Sequence, residues 1–159
     1  MNNYNILSDL DSFAHDVKLI AYSMGWNGKK DKAGRKLLTA IGNFGREYNP
    51  DIWVNKTSNI MAMRSFNFEH EVCLVLDCRF VNEIEKMRFY FGKDKITSIR
   101  IVRDRYKGDD LDYVDHNDIS ETSLDNYKDF DYIIDNNNAI GDFYKSTRKV
   151  FEEVFDAYL

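Results

Sequence analysis

The chain has 159 residues, 43% hydrophobic and 14% aromatic, and carries a formal net charge of −5. At this length one domain buries about two thirds of its unfolded surface, so a single core is expected across residues 1–159. No apolar run approaches the ~20 residues of a membrane span, and residues 1–5 lack a basic cluster; both features predict a cytoplasmic protein with no membrane partner.

The charge is uneven. Ten Asp or Glu and one Lys lie between positions 109 and 135, a net of −9; the remaining 17 acidic and 21 basic residues give +4. A mildly basic body suits phosphate binding, whereas the acidic stretch argues against general nucleic-acid binding, which needs a basic stripe. The stretch reads first as a solvated loop face and second as a surface for a protein partner. Self-association into a homo-oligomer stays open. Cys73 and Cys78 are five apart in a predicted strand and point to opposite faces, so neither a disulfide nor a shared metal is expected. His15, His70 and His116 show no ligand spacing, and no metal site is expected from side chains alone.

In chain order, Leu7, Leu10, Phe13, Ala14, Val17, Ile20, Ala21 and Met24 recur at steps of three or one, which predicts an amphipathic helix. Ser8 or Ser12 would cap it, and Gly25 and Gly28 would end it. A second helix is predicted over 32–44, with Leu37, Leu38 and Ile41 inward. After Pro50 a third runs over 51–64, burying Ile52, Ile60 and Met63. Residues 72–76 form a continuous apolar run, the pattern of a parallel strand covered on both faces. A short helix over 82–91 follows, with strands at 96–102 and 132–136. A closing helix over 140–158 carries Phe143, Val150, Phe151, Val154 and Phe155. Alternation of helices with buried strands predicts an α/β three-layer sandwich on a mostly parallel sheet. Residues 104–125 are the expected mobile loop or lid.

Four segments carry a family resemblance. Ser12-Phe13-Ala14 with Lys18, Gly34-Arg35-Lys36-Leu37-Leu38-Thr39 with Gly42 and Arg46, Asp77-Cys78-Arg79-Phe80-Val81-Asn82-Glu83, and Ile119-Ser120-Glu121 occur in this order. Together they resemble the deoxynucleoside monophosphate kinases of phages, which are P-loop phosphotransferases; Thr39 stands where that family has Gln. The resemblance implies a P-loop-kinase-like sheet and a pocket for a deoxynucleoside monophosphate. Arg46, Arg79 and Arg35 would bind the phosphate, since a guanidinium takes two phosphate oxygens at once. Asp77, at a strand end where open α/β sheets place ligands, would be the catalytic residue, holding Mg²⁺ or orienting the acceptor. Trp53 would stack on the base, and Arg103 and Arg105 would close as a lid. The structural alternatives are an Asp77–Arg79 ion pair at the strand end, a core role for Trp53, and helix capping by Asn82 and Glu83.

No G-x-x-x-x-G-K-[ST] loop occurs in the chain, and that loop supplies the amide cradle and the Lys that hold a triphosphate. In the family, a first strand and this loop precede a second strand ahead of the Ser-Phe-Ala element, and the first strand lies beside the strand corresponding to 72–76. Residues 3–7 are expected to fill that slot, or another chain to complete the sheet. Three functional readings follow. The first is a degenerate, nucleotide- or protein-binding relative without phosphoryl transfer, such as a phage inhibitor or decoy. The second is an active kinase using Mg²⁺ and ATP, truncated or completed by another chain. The third is an interaction module with no nucleotide site.

Overall fold

Strand β1 (Leu7–Asp11) lies parallel to β2 (Glu71–Val75), with Leu7 opposite Glu71 and Asp11 opposite Val75. Strand β3 (Ile99–Val102) lies parallel to β4 (Tyr132–Asp135), and these two pairs form separate two-stranded sheets. The computed structural model describes residues 7–65, 71–104 and 118–156. Around the strands pack α1 (His15–Ser23), α2 (Lys32–Tyr48), α3 (Ile52–Ser65), α4 (Val81–Phe91), the short α5 (Ile119–Thr122) and α6 (Ile140–Asp156). The class is therefore mixed α/β with parallel strands, as expected, but two small sheets stand where one continuous sheet was predicted. No helix among the described residues is long and apolar enough to cross a membrane.

The first predicted helix is corrected. Residues 7–11 form a strand, and helix begins only at His15. Apolar steps of three fit a helix locally, but five paired positions on β2 give this segment a ladder that no local pattern reveals. The expected strand beside residues 72–76 exists, built from Leu7–Asp11 instead of residues 3–7; residues 3–6 lie outside the described residues. β2 is half-buried along its described side chains, and Leu76, just beyond it, is 74% exposed. It is not the doubly covered strand that its composition predicts.

Helix α2 starts where the Asp31 side chain accepts the Gly34 N–H at 2.9 Å, and it runs past Phe44 to Tyr48. Its fully buried positions are Gly34, Gly42 and Gly45, while Leu37, Leu38 and Ile41 are only half-buried. The reason is Trp53. Its ring, 3% exposed, presses on Gly45, and its indole N–H donates to the Gly42 carbonyl at 3.0 Å. α3 consequently buries Trp53, Val54, Thr57 and Ser58, and the predicted inward Met63 faces solvent. Phe13, Val54 and Met87 form the core cluster joining α3 and α4 to the turn after β1. Along α1 and α2 runs an open apolar groove of about 530 Å³ lined by Ile20, Met24, Leu37, Phe44, Tyr48 and Trp53.

A methyl group on Gly45 would overlap the Trp53 ring, reaching Cε2 at 2.9 Å. Ala ordinarily stabilises a helix interior over Gly by about 0.5–1 kcal/mol. Here overpacking reverses the sign, and Gly45→Ala is expected to lose about 1–3 kcal/mol in urea unfolding. A variant as stable as the native chain would disprove the close contact.

Candidate functional site

Just past the carboxyl end of β2, Asp77 gathers three donors from the β1–α1 turn. It accepts the Ser12 hydroxyl at 2.5 Å, the Phe13 N–H at 2.8 Å and the Ala14 N–H at 3.1 Å. Lys18 reaches the same Ser12 Oγ from α1 at 3.1 Å. Ala14 has no side chain able to cap α1, so the carboxylate satisfies the leading amides and places a negative charge on the helix's positive end. Asp77 is thus a junction between two strand ends and a helix start.

Six residues further on, the first turn of α4 is organised by Glu83. Its carboxylate accepts the Arg79 N–H at 2.8 Å and the Phe80 N–H at 3.1 Å, with the side chain 4% exposed. Burial pushes the Glu83 carboxyl above its ordinary range, and Asp77 adds to this, while the two amides and Arg46 pull against it. From α2, Arg46 stands 4.0 Å from Glu83 and lays its guanidinium 3.9 Å above the centre of the Phe80 ring. Burial lowers the Arg46 pKa; Glu83 and Asp118 oppose that shift and Arg79 adds to it. Arg79 itself pairs with Glu121 of α5, so the Asp77–Arg79 ion pair weighed as the structural alternative is replaced by this one. Asp118 caps α5 by accepting the Ser120 N–H at 2.8 Å. The Ser120 side chain first, then the Ser120 N–H, Arg46 and Arg79, hold its carboxyl below the ordinary range against the opposing effect of burial. Cys78, beside Glu83, is pushed up to about 12 by burial, which leaves it an inert thiol and not a nucleophile.

Arg79, Glu83, Ser120 and Glu121 form the polar wall of a cleft of about 490 Å³ that opens between the two sheets. The structure therefore brings together Ser12, Lys18, Arg46, Asp77, Arg79, Glu83 and Glu121, drawn from all four segments of the resemblance. The cations are not bare: Glu83, Asp118 and Glu121 face Arg46 and Arg79.

Other predicted residues lie elsewhere. Arg35 donates its Nε–H to the Lys30 carbonyl at 3.1 Å, near the start of α2. It sits about 16 Å along the helix axis from Arg46. Trp53 is in the core, with its N–H already used, and is no platform for a base. Arg103 is exposed just beyond β3, while Arg105 and most of the 104–125 segment lie outside the described residues. Asn82 does not cap α4; its amide donates to the Pro50 carbonyl at 3.0 Å and to Asp51 at 2.8 Å, tying α4 to α3.

One hub escaped sequence reasoning. Arg88, 9% exposed, donates to Tyr127 Oη at 3.0 Å, Ser98 Oγ at 3.0 Å, and Asp129 and Asp131 at 2.7 Å each. The only signal was the excess of acid downstream, which one buried arginine partly neutralises. Among the described residues no group of three or more His, Cys, Asp or Glu is placed to hold a metal ion. No known protein family pattern matches the chain, and no curated protein matches it.

Two predictions follow from this geometry. Asp77→Ala removes the acceptor for three donors and is expected to destabilise by about 2 kcal/mol or more, with Asp77→Asn recovering part of that. Urea unfolding reads both; an unchanged midpoint for Asp77→Ala would disprove the junction. Glu83 has a folded pKa above the unfolded value near 4.5, so the folded state holds its proton more tightly. Stability contributed by Glu83 is present below that value and is lost as pH rises through the folded pKa. The stability advantage of Glu83→Gln over the native chain should thus grow from pH 4.5 upward and then level off. A difference that shrinks with rising pH would reverse the assignment.

Proposed function

We propose that this protein is a degenerate relative of the phage deoxynucleoside monophosphate kinases that binds a nucleoside monophosphate and does not transfer phosphate. The observation that carries this reading is the convergence of four separated motif segments at the carboxyl end of β2, where open parallel sheets take their ligands. A P-loop-kinase-like sandwich accommodates the order of elements: β1 leads directly into the Ser12-Phe13-Ala14 turn, as that family's second strand would.

Arg79 is the phosphate ligand. Its pair with Glu121 is half-exposed, a class of ion pair worth about 0–1 kcal/mol, and a dianionic phosphate taken bidentately displaces it. Arg46 is held by Phe80 and Glu83 and adds charge from behind. A donor triphosphate is another matter. The chain contains no glycine-rich amide cradle and no loop lysine to hold ATP and Mg²⁺, and positioning of those phosphates is most of what such a catalyst supplies. The acidic 118–135 segment is partly committed internally to Arg79, Arg88 and Arg100, which weakens the reading of the protein as only an acidic interaction module.

Calorimetric titration tests this. Deoxynucleoside monophosphates are expected to bind and ATP to give no heat, with Arg79→Ala weakening the monophosphate at least about tenfold, equivalent to 1.4 kcal/mol. Formation of ADP from ATP and a deoxynucleoside monophosphate would overturn the absence of transfer. No heat with any nucleotide would overturn the binding.

A further inference from the structure

We propose that the groove along α1 and α2 receives one amphipathic helix of a separate protein, with an apolar stripe seated in the groove and an acidic end over the lysines where α2 begins. The inference is independent of nucleotide binding.

The groove is lined by carbon and is basic at one end. No charged side chain lines its volume of about 530 Å³, and its rim stands out from the surface: Phe44 is 76%, Tyr48 85% and Met24 63% exposed. On α2 the positions 32, 36, 40, 44 and 48 form one exposed ridge, Lys32 and Lys36 leading, then Ala40, then Phe44 and Tyr48. Lys29 and Lys30 stand in the turn just before. The Lys29 carbonyl accepts the Trp26 indole N–H at 2.9 Å, and the Lys30 carbonyl accepts the Arg35 Nε–H at 3.1 Å, which pins that turn against the helix. All four lysines are exposed, and among the described residues their ammonium groups have no ion-pair partner. Asp31, the one acid among them, is committed to capping α2 through the Gly34 N–H. A net positive end on an apolar groove defines its complement, an apolar body with a carboxylate-rich end.

Shape and area select a helix. From Leu37 to Tyr48 the groove follows α2 for about 16 Å, three turns of a helix laid alongside. An extended peptide would bring unpaired N–H and C=O groups against helices whose own backbones are already paired. A helix satisfies its backbone internally and offers one stripe of side chains. Phe44 and Tyr48 expose roughly 300 Å² between them, and Met24 and Ile20 extend the strip, short of the ~800 Å² a side on which two folded proteins stably pair. The strip therefore suits a single helix better than a second copy of this chain. A bilayer seats a convex apolar face, whereas here the carbon lines a trough.

The test titrates the full chain into a fluorescein-labelled peptide of about 18 residues, long enough to hold a helix, with Glu in its first turn and Leu at i, i+3, i+4 and i+7. A second peptide carries Lys in place of each Glu, and a third has the same composition with its leucines scattered. Fluorescence anisotropy is expected to show the Glu peptide bound at least about tenfold more tightly than either control, and Phe44→Asp is expected to remove at least about tenfold of that affinity. Lys32→Glu combined with Lys36→Glu should make the Lys peptide the tighter ligand. That exchange of preference decides the matter whether or not Phe44→Asp keeps its fold, which urea unfolding reads. Unchanged anisotropy with the Glu peptide, or equal affinity for the scattered peptide, overturns the proposal. So does a double reversal that fails to invert the preference. A dimer in sedimentation that Phe44→Asp dissociates would make the occupant a second copy and overturn the separate helix. Binding to phosphatidylglycerol vesicles that Phe44→Asp abolishes would make the strip a membrane face and likewise overturn it.

Discussion

One carboxylate holds the centre of this molecule. Asp77 sits where β2 ends and accepts a hydroxyl and two amides from the turn where β1 ends and α1 begins. The interaction spans 63 to 65 residues of sequence and fixes three elements with one charged group. Because Asp77 is anchored, Arg79 and Phe80 just before α4 and Glu83 on its first turn fall at defined places. Because those are placed, Arg46 finds both a ring and a carboxylate to rest against. A site made of groups on α2, on α4 and the turn before it, and on α5 thereby inherits its geometry from a junction just past the carboxyl end of β2.

Much of the architecture is legible in hydrophobic spacing. The predicted starts of α2, α4 and α6 fall within a residue of those observed, since each carries its own period. β1 was legible as a strand beside residues 72–76 but misplaced at residues 3–7, because Leu7 and Leu10 fit a helix locally and only pairing with β2 makes 7–11 the strand. The glycine face of α2 was hidden for a related reason, since a glycine buried under Trp53 leaves no hydrophobic mark. At the site, Arg46, Asp77 and Arg79 were readable as a group from the resemblance alone. Their partners were not. Glu121 was legible only as part of a motif, and nothing in the sequence tells that Asp77 would spend its lone pairs on Ser12 and the backbone instead of on Arg79.

The acidic segment shows how composition misleads about location. Asp125 meets Arg100, Asp129 and Asp131 meet Arg88, and Glu121 meets Arg79, so much of the charge faces the protein's own cations. Asp131 also accepts the Ser98 N–H and Oγ–H, both at 2.7 Å, at the entrance to β3. Arg88 spreads one charge over five acceptors on four residues, a task for which the planar, five-donor guanidinium is suited and an ammonium is not. Its Nε has no partner among the described residues, the sole buried side-chain polar atom there of which that is true.

The groove along α1 and α2 has a practical consequence. Phe44 is 76% and Tyr48 85% exposed there, with Met24 and Ile20 beside them, and hardly any polar surface interrupts the strip. Contacts made through such a strip bury water-facing carbon, carry a negative heat-capacity change and loosen on cooling. Contacts made through the charged 118–135 side weaken with ionic strength instead. The molecule therefore has two faces that answer to different solvent variables, and temperature and salt can be set independently to keep each of them quiet in concentrated solution.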